Sequence, residues 1–190
     1  IVFGAATSLD SNYSGRTLAS VTVTNNDNET AGFLLTEISG PTTEGGGTAS
    51  FTVALTSAPS DTVTILPSTS DATEVSVSPA SLSFDVNNWD SPQTITLTGV
   101  DDNVADGTVI YQIDFTAAVS SDPSYSGVLA PSLLVPNLDD DVVAVLVLGP
   151  SGPTTEAGGT ATASISLGSQ PTSDVTISLV SSNSSEGLVS

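Results

Sequence analysis

The sequence predicts an all-β protein: a sandwich of two antiparallel sheets, repeated in tandem. Three observations carry this. Apolar residues alternate with Thr and Ser at a period of two, Gly, Pro, Asn and Asp cluster between the runs, and the chain repeats itself at an offset of 112 residues. The repeat is clearest where Ser39-Gly-Pro-Thr-Thr-Glu44-Gly-Gly-Gly-Thr-Ala49 returns as Ser151-Gly-Pro-Thr-Thr-Glu156-Ala-Gly-Gly-Thr-Ala161. The same offset places Tyr13 on Tyr125, Asp27 on Asp139, Pro59 on Pro171 and Val63-Thr-Ile65 on Val175-Thr-Ile177 without a gap. Residues 1–78 align with 113–190, and 34 of the 78 pairs are identical.

The repeat sets the expected domain boundaries, which fall after the acidic runs Asp27-Asn-Glu29 and Asp139-Asp-Asp141. Residues 1–29 read as the C-terminal part of a preceding repeat, 30–141 as a complete one, and 142–190 as the N-terminal part of a following one. A window onto a longer array is the expectation.

Within the complete repeat the strands follow in order. Phe51, Val53 and Leu55 alternate with Thr52, Ala54 and Thr56, and Val63 and Ile65 flank a Thr. Ile95 and Leu97 lie between Thr94, Thr96 and Thr98, and Val109, Tyr111, Ile113, Phe115 and Ala117 form the longest stripe. β-branched residues favour such half-buried pleated surfaces, and Ser/Thr-rich segments make poor helices. Seven or eight strands with one apolar face each are the content of a two-sheet sandwich. Phe33, Phe51, Phe84, Tyr111 and Phe115 are expected between the sheets, with Trp89 as a loop plug over one end of the core.

Composition narrows the function. Arg16 is the only basic residue against 21 acids, the formal net charge is −20, and Cys and His are absent. Without His, Cys or Lys there is no Ser-His-Asp triad, Cys-His pair, Ser-Lys dyad or His/Cys zinc site. A polyanion of this kind lacks the basic footprint that nucleic acid or an anionic membrane requires. No apolar run approaches the ~18 residues of a membrane span, so no membrane insertion is expected. With 38% hydrophobic residues in alternation, the chain has the apolar content to fold.

The carboxylates carry the chemistry. Eight of the 15 acids of residues 30–141 lie in four turn-like places: Glu44; Asp71; Asp101, Asp102 and Asp106; and Asp139, Asp140 and Asp141. Loops of an antiparallel sandwich alternate between its two ends, so distant loops can meet. Two carboxylates ~5 Å apart at an effective dielectric of ~20 repel by roughly 3 kcal/mol. With one Arg in the chain, a hard divalent cation is the natural relief, and an all-oxygen, carboxylate-rich site suits Ca²⁺ better than Mg²⁺. The spacing is neither that of an EF-hand loop nor that of a glycine-rich nonapeptide repeat. Solubilising surface charge is the plain alternative.

These residues resemble a known family. Pro-Thr-Thr-Glu44-Gly-Gly, Ser-Asp71-Ala, Leu82-Ser-Phe84, Gln93-Thr-Ile-Thr-Leu97, Gly-Val-Asp101-Asp102-Asn-Val-Ala-Asp106-Gly and Asn137-Leu-Asp-Asp-Asp141 are together similar to a Calx-β domain. The match is to the divergent tandem copies of large bacterial surface proteins. The resemblance implies an immunoglobulin-like sandwich with Ca²⁺ held by loops at one end, beside the link to the next domain. Carried over by position, it implies Glu44, Asp71, Asp101, Asp102, Asp106, Asp139, Asp140 and Asp141 as ligands, with the Val104 carbonyl. The following repeat departs from the pattern, because Asn183 stands at the Asp71 position. The preceding junction reads Asp27-Asn28-Glu29.

The functional expectation is a non-enzymatic, calcium-binding structural repeat of an extracellular or cell-surface adhesin, stalk or filament. Its partners would be adjacent repeats of the same chain and like chains in a filament, with ion binding stiffening the junctions. The alternative is a module that recognises carbohydrate or a surface through loops or a Thr-rich face. Glycoside hydrolysis by paired carboxylates is the enzyme reading, and it is disfavoured because every acid cluster sits in a repeated position. Asn12-Tyr-Ser14, Asn28-Glu-Thr30 and Asn183-Ser-Ser185 match the N-glycosylation pattern.

Overall fold

A computed structural model describes residues 1–190 and contains strands and turns but no helix. The chain divides into two compact units, residues 1–30 and residues 31–190.

In the larger unit two four-stranded sheets face each other as an immunoglobulin-like sandwich. The first has the order β1 (Phe33–Leu35), β3 (Thr48–Leu55), β8 (Gln93–Gly99), β6 (Val75–Ser78). The second has the order β2 (Thr42–Thr43), β10 (Leu133–Leu138), β9 (Val109–Phe115), β5 (Pro67–Thr69). β4 (Val63–Ile65) pairs with β7 (Leu82–Phe84), and a bridge from Thr64 to Val119 ties β4 to the chain that follows β9. All of these ladders are antiparallel except β2 with β10, which is parallel.

Alternation decides which faces meet. In β3, Ala49, Phe51, Val53 and Leu55 are buried, while Thr48, Ser50 and Thr52 face outward to differing degrees. The register Ala49↔Leu97 and Phe51↔Ile95 lays the inward residues of β3 beside those of β8. From the opposite sheet Tyr111, Ile113, Phe115 and Val135 are buried. The edge-to-face contact of Phe51 with Phe115, ring centroids 6.3 Å apart, joins the layers. Phe33 and Trp89 pack against this core and are partly buried. The stripe expected to run through Ala117 stops two residues earlier. β9 ends at Phe115, Ala117 is exposed, and Ala118 is buried instead. The cause is a change of partners: Thr116 N–H donates to Leu66 O, and Ala118 N–H to Val128 O across a turn.

That turn closes one pole. Tyr125 is 1% exposed, its ring meets Phe33 edge-on at 6.4 Å, and its hydroxyl donates to Ser57 O at 2.7 Å. Asp122 Oδ2 accepts from Ser60 N–H at 2.8 Å, and these hydrogen bonds hold its carboxyl below the usual range. At the other pole lie the C-terminal ends of β2, β8 and β10 and the N-terminal ends of β3, β6 and β9, as the pairs Thr48↔Thr98, Val75↔Gly99, Thr42↔Asn137 and Asn137↔Val109 require. Gly99 leaves room for the second sheet to come close here. A methyl group at this position would stand 2.0 Å from Thr43 O and 2.8 Å from Asn137 Oδ1.

Past Asp141, β11 (Val145–Leu148) pairs with β12 (Ser164–Leu167), placing Val145 opposite Leu167 and Val147 opposite Ile165. This is the register of Phe33 with Leu55 and Leu35 with Val53, displaced by the sequence offset. The smaller unit, residues 1–30, holds a turn in which Ala6 N–H donates to Arg16 O and Gly15 N–H to Ala6 O. No helix of the chain is long and apolar enough to cross a membrane.

Candidate metal centre

Four loops converge on the pole below Gly99. The first is the turn after β2, Thr43–Gly47. Gly46 takes a left-handed φ of 85°, a conformation that costs a residue with a Cβ but not glycine. Glu44 N–H donates to Leu138 O at 3.0 Å, which fixes Glu44 against the end of β10. Its side chain turns inward: Glu44 is 1% exposed, and Oε2 has no hydrogen-bond partner. A buried oxygen without a donor is uncommon and costly in a folded protein. Burial, followed by the charges of Asp139, Asp102, Asp106 and Glu74, pushes the Glu44 carboxyl up to about 7.

Opposite Glu44 stand Asp102, from the loop after β8, and Asp141, from the segment after β10. Each of the three offers a carboxylate oxygen, and these oxygens lie within 4.8 Å of one another. Asp102 Oδ1 accepts from Val104 N–H at 2.7 Å, which shapes its own loop. Burial, then the charges of Asp139, Asp140, Asp101 and Asp102, raises the Asp141 carboxyl above its ordinary value.

The remaining expected residues fall into three groups. Asp139 is an organiser: Oδ1 accepts from Asp141 N–H and Oδ2 from Gly107 N–H, both at 2.7 Å, so it clamps the 101–107 loop to the end of β10. Asp101, Asp106 and Asp140 surround the inner three. Asp106 acts on Glu44 and Asp101 on Asp141 through their charges, and a methyl group at Gly45 would stand 3.1 Å from Asp140 Oδ2. Val104 O accepts from Asp106 N–H at 2.9 Å, which occupies one side of that carbonyl. Asp71 stands apart from the three-oxygen group. Its Oδ1 accepts from Thr73 N–H at 3.0 Å and from Thr73 Oγ1 at 2.5 Å, and this local turn holds its carboxyl below the usual range.

Two residues not anticipated from the sequence complete the pole. Glu74, 6% exposed, acts on Glu44 through its charge, and its Oε2 accepts from Asn137 Nδ2 at 3.1 Å. Asn137 also donates to Glu74 O and accepts from Thr42 Oγ1 at 2.8 Å, while Thr42 Oγ1 lies 3.2 Å from the Tyr111 hydroxyl. The repeat contained the signal. Glu186 stands at the Glu74 position and Asn25 at the Asn137 position, whereas Asp71 is replaced by Asn183.

Such a pole has the chemistry to hold a hard cation. It gathers hard anionic oxygens around an unpartnered buried one, in a chain whose only basic side chain, Arg16, lies in the other unit. A hard divalent cation would suit these features. Soft metals need thiolate or imidazole, which the chain lacks.

No protein-family model and no curated protein matches the chain. Among solved structures, WR4, a Caenorhabditis elegans MSP family member, is 12% identical with a TM-score of 0.35, covering 54% of this chain and 95% of its own. SSP-19, an MSP-domain protein like family member of Caenorhabditis elegans, is 11% identical with a TM-score of 0.34, covering 53% of this chain and 92% of its own.

Proposed function

We propose that residues 30–141 form a calcium-binding structural repeat of the Calx-β kind, set in a tandem array with parts of its neighbours at residues 1–29 and 142–190. The array would serve an extracellular bacterial adhesin, stalk or filament, with no enzymatic role. The observation that carries this reading is the buried, unpartnered Oε2 of Glu44 facing Asp102 and Asp141. Glu44, Asp102 and Asp141 would hold Ca²⁺ directly, with Asp101, Asp106 and Asp140 close by. Asp139 shapes the loop, and Glu74 and Asn137 set the floor.

The mechanical role follows from where these residues stand. Asp141 is both a candidate ligand and the residue from which the chain runs on to β11. Gln170 N–H donates to Asn103 O, so the segment after β12 is also tied to the ligand loop. An ion bridging Glu44, Asp102 and Asp141 would join β2, the 101–107 loop and the linker at one point. Its loss would leave several carboxylates repelling one another, freeing the joint to flex. Binding to the folded state alone stabilises it by about 2.7 kcal/mol at a hundredfold excess over Kd.

The test is a calorimetric melt of the 190-residue protein with Ca²⁺, with Mg²⁺ and with excess chelator. The expected result is a rise of several degrees with Ca²⁺, a smaller one with Mg²⁺, and no rise with Ca²⁺ in the Asp102→Asn variant. Coincident melts in all three conditions would return the acids to the role of surface charge.

A further inference from the structure

Behind the carboxylate pole the two sheets enclose a polar cluster: Thr42 on β2, Tyr111 on β9, Asn137 on β10 and Glu74 just before β6. None of the four is more than 6% exposed. Burying polar groups is costly unless they pair, and these pair with one another. Thr42 Oγ1 donates to Asn137 Oδ1 at 2.8 Å and lies 3.2 Å from the Tyr111 hydroxyl. Asn137 Nδ2 donates to Glu74 Oε2 and to Glu74 O, both at 3.1 Å. A hydroxyl thus stands on the carbonyl side of one carboxamide, and a carboxylate on its nitrogen side. Gly99 makes the room, since a methyl group there would stand 2.8 Å from Asn137 Oδ1.

The sequence keeps these residues where it changes their neighbours. The repeat offset finds Thr154 at the Thr42 position, Glu186 at that of Glu74 and Asn25 at that of Asn137. The same offset sets Thr22 and Thr24 on Leu134 and Pro136, so the outward positions of that strand drift while the enclosed one does not.

We propose that this cluster is an autocatalytic site that joins Thr42 to Asn137 through an ester bond. Thr42 Oγ1 bonds to Asn137 Cγ, and its proton passes to Oδ1, the atom it already faces. The Cγ–Nδ2 bond then breaks, and Nδ2 leaves as ammonia with the Oδ1 proton, relayed by the Glu74 carboxylate. One C–N bond is exchanged for one C–O bond, oxidation states are unchanged, and no co-reactant is consumed. Holding the hydroxyl against the amide makes the step effectively unimolecular. A carboxylate beside the leaving nitrogen supplies general acid–base catalysis. Burial keeps water from the product, and ammonia escaping into solvent, where it is protonated, draws the reaction forward. The bond would tie β2 to β10 across 95 positions of sequence, in a chain that has no Cys for a disulfide. Force along the chain would cross from one strand to the other through the ester, leaving the strands between them unloaded. No ion takes part, so the inference stands apart from the calcium reading.

The test is the intact mass of the 190-residue protein, purified folded in chelator and then denatured. The expected mass is that of the sequence less one ammonia. Digestion at acidic residues should release a branched peptide containing Thr42 and Asn137, which hydroxylamine splits in two. Thr42→Val, which keeps the side-chain shape without the nucleophile, should show the full sequence mass, and so should Glu74→Gln. The branched peptide identifies the bond in the wild type directly, so the result does not depend on how well the variants fold. A wild-type chain at full sequence mass overturns the proposal. So does an ammonia loss that survives Thr42→Val, which would mark a succinimide at Asn137 instead.

Discussion

The same turn occurs at residues 6–16 and at 118–128, with the same backbone hydrogen bonds and a positive-φ glycine at the same place, Gly15 and Gly127. Its tyrosine is 65% exposed in the first and 1% exposed in the second. Local geometry is thus written in a dozen residues and survives without a core. Burial depends on the opposing sheet. The Glu44 and Glu156 turns teach the same lesson. In each, Gly46 or Gly158 adopts a left-handed φ and Gly47 or Gly159 N–H donates to the Thr43 or Thr155 hydroxyl, yet Glu44 is buried and Glu156 exposed. What turns an acidic turn into a candidate cation site is the tertiary surrounding supplied by Asp102, Asp141 and Glu74.

The sharpest way to break this comparison is to truncate each tyrosine. Tyr125→Ala should lower the stability of residues 31–190 by about 3–5 kcal/mol, the scale of a large buried aromatic. Tyr13→Ala should change the melt by no more than about 0.5 kcal/mol, as an exposed substitution does. Equal effects would mean that both turns are packed alike.

Next comes Gly99→Ala, which drives a methyl group into Thr43 O and should cost about 1–3 kcal/mol. The cost should appear alongside weakened calcium stabilisation, since Thr43 carries the Glu44 turn.

The paired glutamates sharpen the comparison further. Glu44→Gln should raise the melting temperature in chelator by removing a buried charge among like charges, and should abolish the Ca²⁺-dependent rise. Glu156→Gln should do neither. The wild-type pH dependence follows from the same group. Its carboxyl is raised from 4.5 to about 7 on folding, so the folded state binds more protons between those values. The Glu44 contribution in chelator therefore makes stability fall as pH rises from about 4.5 to about 7, and Glu44→Gln flattens that limb. Because Ca²⁺ needs the ionised form, its affinity should decline as pH drops below about 7.

The smallest effect is expected at Asp71. Asp71→Asn should keep the Thr73 turn, as Asn183 keeps the bonds to Ser185 N–H and Oγ in the equivalent place, and should leave calcium stabilisation nearly intact.

Much of this was legible in the sequence. Period-two alternation marked β3, β8 and β9, and antiparallel connectivity allowed the loops bearing Glu44, Asp71, Asp102 and Asp139–Asp141 to meet at one end. Two features were not. An acid in a turn reads alike whether its carboxylate faces other loops, as Glu44 does, or closes on its own backbone, as Asp71 does with Thr73. Glu74 lies beside the strand start at Val75, where a polar residue reads as solvent-facing. Only the Asn137 amide from the other sheet reveals that it is buried and paired.

The parallel pairing of β2 with β10 has a mechanical consequence. β10 is the last strand of the complete repeat and β2 the second, and the two run side by side in the same direction. Tension applied on the N-terminal side of β2 and the C-terminal side of β10 would slide one past the other, loading the Thr42–Thr43 and Asn137–Leu138 ladder in shear instead of peeling its bonds apart one at a time. The buried hydrogen bond from Thr42 to Asn137 lies across that slip plane. The fold thus places its shear-resistant latch beside the carboxylate pole, where a bound divalent ion would tighten the same joint.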